Sequence, residues 1–120
     1  KENSMLQIKI KDICPMAMTE DQGFLVRSAM ETAIKANQVI VLDFDGISLF
    51  ATMFFNVSIG YYIVEKGIDY CKENIKLSNI SELGTETYTH SFENAKEIVE
   101  TGNTSAINNS AIAERNIEES

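Results

Sequence analysis

Between Gly46 and Val64 the chain runs nineteen residues without a charge, and thirteen of them are apolar. No other stretch restricts the fold as severely, because such a segment must either enter a bilayer or become the interior of the protein. A membrane-spanning helix needs about 20 predominantly apolar residues, so length alone leaves the bilayer open. Three features argue against it. Ser48, Thr52, Asn56, Ser58 and two glycines interrupt the run; Asp43 and Asp45 flank it; and it directly follows another apolar segment, with no room for a membrane entry. The expectation is a turn over 46–49 and then a largely buried helix from Thr52 to Lys66, ended by Gly67 as a left-handed cap. No membrane insertion is expected.

The segments around this run set a fold class. Residues 6–13, LQIKIKDI, alternate apolar and polar, which predicts a half-exposed strand at or near a sheet edge, ended by Pro15. Thr19 and Gln22 have the spacing of a capping box, with Glu20 and Asp21 suited to the positive end of a helix. Leu25, Val26, Ala29, Met30, Ala33 and Ile34 then recur at helical spacing, while Arg27, Glu31 and Lys35 lie four apart on another face. Residues 39–44, VIVLDF, form a continuous branched run that predicts a strand buried on both faces. Strand, helix, strand implies a crossover and a parallel pair. A short third strand over 74–78 turns Ile75 and Leu77 inward, and a helix follows around Phe92–Val99 with a stripe of Phe92, Ala95, Ile98 and Val99. The expected fold is α/β: a small mixed or mainly parallel sheet of three to five strands with helices packed on it. Lys1–Ser4 read as flexible residues ahead of a start at Met5, 5–101 as the domain, and 102–120 as a polar tail or weak last helix.

Composition excludes functions more than it suggests them. At 120 residues the chain makes one domain and buries roughly two-thirds of its unfolded surface, so neither metal nor disulfide is needed to hold it. Eighteen acids against ten bases give a net charge of −8. That disfavours nucleic acid and anionic membranes as partners and favours a basic protein surface. His90 is the single histidine and sits in a polar stretch, where it reads as a surface residue or cap. Cys14 and Cys71 form no C-x-x-C and read as two reduced thiols of a cytoplasmic protein. No cofactor or metal is expected.

One motif invites an enzymatic reading. VLDFDG places Asp43 and Asp45 at the spacing of a haloacid-dehalogenase-type phosphatase, in which the first Asp attacks phosphorus, the second serves as acid/base and Mg²⁺ neutralises the phosphoryl group. Ser78, ending IKLS, even matches that superfamily's second motif. The remaining parts are missing: Ile47 stands where Thr is usual, Lys96 is the sole lysine after Ser78, and no later strand ends in an acid pair. Strand-capping and turn formation by Asp43 and Asp45 is the simpler reading.

The order VIVLDFDGI and FFNVSIG, with an Arg-bearing helix before them and NIS and ENAK after, resembles the bacterial STAS-like family of domains of unknown function, relatives of the sulfate-transporter and anti-sigma-factor-antagonist fold. The resemblance runs over roughly residues 19–100. It rests on Arg27, on Leu42-Asp43-Phe44-Asp45-Gly46-Ile47, on Phe54-Phe55-Asn56-Val57-Ser58-Ile59-Gly60, on Ser78-Asn79-Ile80-Ser81 and on Glu93-Asn94-Ala95-Lys96. It implies a STAS-like arrangement of sheet and helices. In the wider fold a helix start reading Asp-Ser-Ser-Gly carries a serine phosphorylated by a partner kinase. Here Ala51-Thr52-Met53-Phe54 takes that place, which makes Thr52 the phosphorylation candidate, with Ala51 and Phe54 departing from the pattern.

The resemblance implies a non-enzymatic protein–protein interaction module in bacterial regulation, with an anti-sigma-type ATPase or kinase as partner. Asp45, Gly46, Ser48, Thr52, Asn56 and Arg27 are the candidate contacts. Physically, a phosphate at a helix start would meet unpaired N–H groups and the positive dipole end, whereas the structural alternative makes Thr52 an ordinary N-cap. Asn56 and Gly60 follow Thr52 on one helical face, where they suit either a partner or close packing inside the domain. Arg27 reads as a solvated charge or a partner contact. The alternative function is small-ligand or nucleotide binding on the same surface, and the third is the Mg²⁺-dependent phosphatase.

Overall fold

Residues 4–102 are described by a computed structural model of the chain. The chain forms β1 (Met5–Lys9), α1 (Ile10–Ile13), α2 (Glu20–Lys35), β2 (Val39–Asp43), α3 (Thr52–Val57), α4 (Ile59–Lys66), α5 (Ile68–Asn74), β3 (Ile75–Ser78) and α6 (Glu82–Thr101). The fold is α/β, as expected. Among the described residues the sheet has three strands in the order β1-β2-β3, both pairs parallel. The expected tail lies beyond Gly102, outside the described residues. Ser4 already joins the sheet margin, its carbonyl accepting from Val39 N at 3.0 Å.

The alternation in the first segment does make an edge strand, but it ends four residues early. Lys9 pairs with Asp43, the last residue of β2, so no ladder exists beyond it. The chain turns instead through α1, and Ile10 enters the core. The capping box forms as read: Thr19 Oγ1 accepts from Gln22 N at 3.1 Å, and Thr19 N donates to Gln22 Oε1 at 2.9 Å. A cap of this kind is worth about 1 kcal/mol. Val26, Met30, Ala33 and Ile34 are buried, while Leu25 is exposed, and Lys35 meets Glu31 at 3.3 Å on the surface.

β2 is central, yet it is not buried on both faces. The register sets Leu6 and Ile8, Ile40 and Leu42, Ile75 and Leu77 on one side, and these pack into the core. Met5, Gln7, Lys9 and Lys76, on the other side, are exposed, and Val39 and Val41 beside them are only half-buried. The apolar run reflects central position and β-propensity, since among the described residues the core packs on one side.

The uncharged run goes inside. Phe54, Phe55, Val57, Ile59 and Ile63 are fully buried, and no helix of the described residues is long and apolar enough to cross a membrane. The helix over 52–66 is broken into α3 and α4 at Ser58, whose hydroxyl donates to Phe54 O at 2.8 Å. Such a bond back to the preceding turn bends a helix. Gly67 ends α4 with φ 101° and ψ 158°, a positive but extended conformation rather than the expected left-handed cap. α5 follows at once. The last helix begins ten residues earlier than its apolar stripe suggests, with Ser81 Oγ capping Gly84 N at 3.1 Å. In its stripe Ala95 is buried, whereas Val99 is exposed.

Candidate functional site

The strands end together at Asp43. Its Oδ1 accepts from Asp45 N at 3.0 Å and from Asn79 Nδ2 at 2.9 Å, and its Oδ2 accepts from Gln7 Nε2 at 3.1 Å. The side chains come from β1, from β2 and from the residue after β3, so one carboxylate ties the three strands. Asn79 reaches it from a left-handed backbone, φ 54°. Asp43 is 7% exposed, and these donors, Asn79 first and the Asp45 N–H next, hold its carboxyl below the usual aspartate range. Both oxygens are engaged, and the bond to Asp45 N two residues on is an Asx turn.

That turn launches the loop carrying most of the candidate residues. Ile47 N donates to Phe44 O at 3.0 Å, and Gly46 takes φ 84°, the positive region that favours glycine. Lys11 Nζ reaches the Gly46 carbonyl at 3.1 Å. Asp45, Gly46 and Ser48 are exposed while Ile47 is buried beneath them. A parallel bridge then fastens the end of the loop: Ala17 N donates to Leu49 O and Ala51 N to Ala17 O, both at 2.9 Å. Phe50 stacks on Phe55, ring centroids 6.3 Å apart and nearly parallel, and lies against Gly84, where a Cβ would stand 2.7 Å from its ring.

Thr52 does not cap α3. The N-cap is Ala51, which offers no side-chain hydrogen bond, and Thr52 is the first helical residue. It is half-buried, and its hydroxyl has no hydrogen-bond partner among the described residues. Asn56 is 3% exposed, with its Oδ1 accepting from Ser91 Oγ of α6 at 2.7 Å. Gly60 packs on the same seam, a Cβ there standing 3.4 Å from Ser91 Oγ. The small and polar spacing of Asn56 and Gly60 therefore serves packing inside the domain, and a partner would have to part α3 from α6 to touch Asn56.

Arg27 is half-buried rather than fully solvated, and it lies away from the loop. Its guanidinium carbon lies 3.8 Å from the Tyr61 ring centroid and 4.7 Å from that of Phe24, and Nη1 donates to Val57 O at 3.3 Å. It thus sits at the carboxyl end of α3, with Thr52 at the other. Tyr62 OH donates to the Arg27 carbonyl at 3.1 Å, and burial above all pushes that phenol up to about 12. Asp45, Gly46, Ser48 and Thr52 form one loop-and-helix corner; Asn56 and Arg27 belong elsewhere.

Three apolar side chains beside that corner escaped the sequence reading. Leu49 is 52% exposed, Met53 40% and Leu83 54%. They flank the Phe50–Gly84 contact along the chain, Leu49 before Phe50, Met53 three residues after it, and Leu83 before Gly84. Leu83 could have been found from the Ser81 cap, which places it in the outward first turn of α6. The two thiols are free and buried, with burial pushing Cys71 up to about 12 and raising Cys14, and His90 is an exposed residue of α6.

In comparisons with known proteins, a family model described as a STAS-like domain of unknown function matches residues 22–85, from the first turn of α2 to that of α6. Neither the curated proteins nor the solved structures return a match.

Proposed function

This chain belongs to the family of STAS-like domains of unknown function, and we propose that it is a non-enzymatic protein–protein interaction module of a bacterial regulatory or signalling system, working in the cytoplasm. One observation carries the proposal: Leu49, Met53 and Leu83 stand exposed around a loop that is otherwise tied down by backbone bonds. Apolar side chains held out on a rigid corner beside polar Asp45, Gly46 and Ser48 have the make-up of a docking surface, an apolar centre with a polar rim. The net charge of −8 favours a partner whose facing surface is basic. By family resemblance that partner is an ATPase or kinase of the anti-sigma type.

The three donors on Asp43, from Gln7, Asp45 and Asn79, give that carboxylate a structural task in tying the strand ends and forming the turn, which supports the non-enzymatic reading over the phosphatase. Phosphorylation of Thr52 is the modulation this reading includes. An unbonded hydroxyl on the first residue of a helix without a side-chain cap would set a phosphate on open N–H groups beside the docking corner.

Capture from the native host tests the proposal. Leu49→Asp and Leu83→Asp are expected to lose a partner that the wild type and Val99→Asp, an exposed change elsewhere on α6, both retain. Equal capture by all four proteins would count against the docking corner. A thermal-shift screen with nucleotides and Mg²⁺ completes the test, since a tight ligand raises apparent stability. Stabilisation by a nucleotide, with no partner captured, would favour the ligand-binding function instead.

A further inference from the structure

A cleft of about 290 Å³ opens between α2 and α4, lined by Phe24, Arg27, Ser28, Glu31, Lys35 and Tyr61 among others. We propose that it is a binding site for a carboxylate borne on an apolar or aromatic body, with the acid group paired to the edge of the Arg27 guanidinium. The site is distinct from the docking corner and does not depend on it.

Tyr61 and Phe24 lie against the guanidinium, and Nη1 is anchored on the Val57 carbonyl. Cation–π contacts fix the plane without neutralising the charge. A guanidinium has five N–H donors, and among the described residues Arg27 makes this one hydrogen bond. What remains is a pre-oriented edge of donors, the geometry that pairs with a carboxylate through two parallel bonds.

The chain has eighteen acids for ten bases, yet half-buried Arg27 pairs with no carboxylate among the described residues. Glu31, one turn along α2, pairs with Lys35 instead, at 3.3 Å. A half-buried cation lacking a counter-ion is costly, and an incoming anion relieves that cost. Lys35 supplies a second positive charge to the lining, while Glu31 beside it weighs more heavily against a dianion than a monoanion. A carboxylate is therefore favoured over phosphate. Tyr61 and Ile34 give the ligand's body an apolar wall.

Two sources present this chemistry, a free organic acid and a glutamate side chain of another protein, and separate probes distinguish them. Phenylacetate, N-acetylglutamic acid α-amide and inorganic phosphate are titrated into the full chain at low salt, followed by amide chemical shifts. Saturable shifts are expected for both carboxylates, centred on residues 24–35 and Tyr61, with phosphate weaker. Tighter binding of phenylacetate marks a free acid as the source, and of the glutamyl compound a protein side chain. Arg27→Gln is expected to weaken binding roughly tenfold or more, the loss of a charge-assisted pair. Arg27→Lys, which keeps the charge and loses the fork, falls between. Should Arg27→Gln fail to fold, Arg27→Lys and the surface change Lys35→Gln carry the test, the latter at roughly threefold weaker binding. Absence of saturation by either carboxylate, phosphate binding more tightly than both, or carboxylate affinity unchanged in Arg27→Lys and Lys35→Gln would overturn the proposal.

Discussion

Gly23→Ala sets two effects of opposite sign against each other at the crossing of α2 and α3. Replacing a glycine inside a helix by alanine ordinarily gains about 1 kcal/mol. At Gly23 the added Cβ would overlap Val57 Cγ2 and stand 2.6 Å from the Phe54 carbonyl oxygen. Neither obstacle yields easily. One is backbone within a buried helix, and the other is a fully buried β-branched side chain with one strongly preferred helical rotamer. Overpacking costs about 1–3 kcal/mol, and a Cβ that meets two such obstacles takes the upper part of that range, about 2–3 kcal/mol, so the net expectation is a loss of about 1–2 kcal/mol. In a domain of this size that lowers Tm by about 3–6 °C per kcal/mol. Urea unfolding should show a lower midpoint at an unchanged slope. Gly60→Ala is the graded comparison, because its Cβ would lie 3.1 Å from Phe55 O and 3.4 Å from Ser91 Oγ, tight but within reach of a small adjustment. It should change stability by less than about 1 kcal/mol. A Gly23→Ala protein as stable as wild type, or a Gly60→Ala protein less stable than Gly23→Ala, would refute the close approach of α2 to α3.

Ser91→Ala removes the donor to Asn56 Oδ1 inside the seam and leaves that acceptor buried, a loss of about 1–3 kcal/mol; a double-mutant cycle with Asn56→Ala should show the two changes to be far from additive. Because Asp43 has a lowered pKa, its stabilisation is complete above the ordinary aspartate value of 3.8 and is lost as pH falls through the lower folded value. Asp43→Asn should flatten that acid limb in urea unfolding across pH, and identical limbs in the two proteins would contradict the three-strand tie. Burial raises Tyr62 and Tyr88 to about 12, so their contribution is complete below the ordinary value of 10.0 and declines as pH rises towards 12. In an absorbance titration Tyr62→Phe and Tyr88→Phe should each delete one late-ionising phenolate, with Tyr62→Phe also losing about 1 kcal/mol with its bond to the Arg27 carbonyl.

What could be read in the sequence was what neighbouring residues decide. The Thr19–Gln22 box involves partners three residues apart, and both of its bonds form. The buried fate of 46–64 follows from its lack of charge. The parallel β1–β2 pair follows from a helix lying between two strands. What stayed hidden depends on distant partners. Nothing in VIVLDF tells that Val39 and Val41 stay half-buried while Ile40 and Leu42 enter the core. The start of α6 is masked by Gly84, Thr85, Thr87 and Thr89, poor helix formers, of which Gly84 is needed because a Cβ there would meet the Phe50 ring. The break at Ser58 turns on a hydroxyl choosing the carbonyl four residues back. In the site, the Asp43 turn was legible, whereas its bonds to Gln7 and Asn79, each thirty-six residues away, were not. Arg27 looked solvated because its helical neighbours at four-residue spacing are charged; its stacking partner Tyr61 lies on another helix.

α3 explains why the candidate corner can act as a surface despite being built on a helix of six residues. A helix that short is not stable alone, since the nucleation cost falls on too few bonds. It persists because the neighbouring elements hold it. Gly23 lets α2 approach its backbone, Ser91 binds Asn56 from α6, and Arg27 takes up the Val57 carbonyl at its end. Ahead of its first residue, the Ala17 bridge fixes Leu49 and Ala51. Met53 and Leu49 are therefore exposed on backbone that is held by the rest of the domain. Ordering side chains and loops on association costs about 0.5–1.5 kcal/mol for each freely rotating side chain, and pre-ordering the backbone beneath them reduces the remainder. On the proposed function, the same clamps that make the interior intolerant of a single methyl group at Gly23 would lower the cost of docking at Leu49 and Met53. A change that loosens the α3–α6 seam, such as Ser91→Ala, should weaken partner capture as well as stability, although Ser91 itself is buried out of a partner's reach.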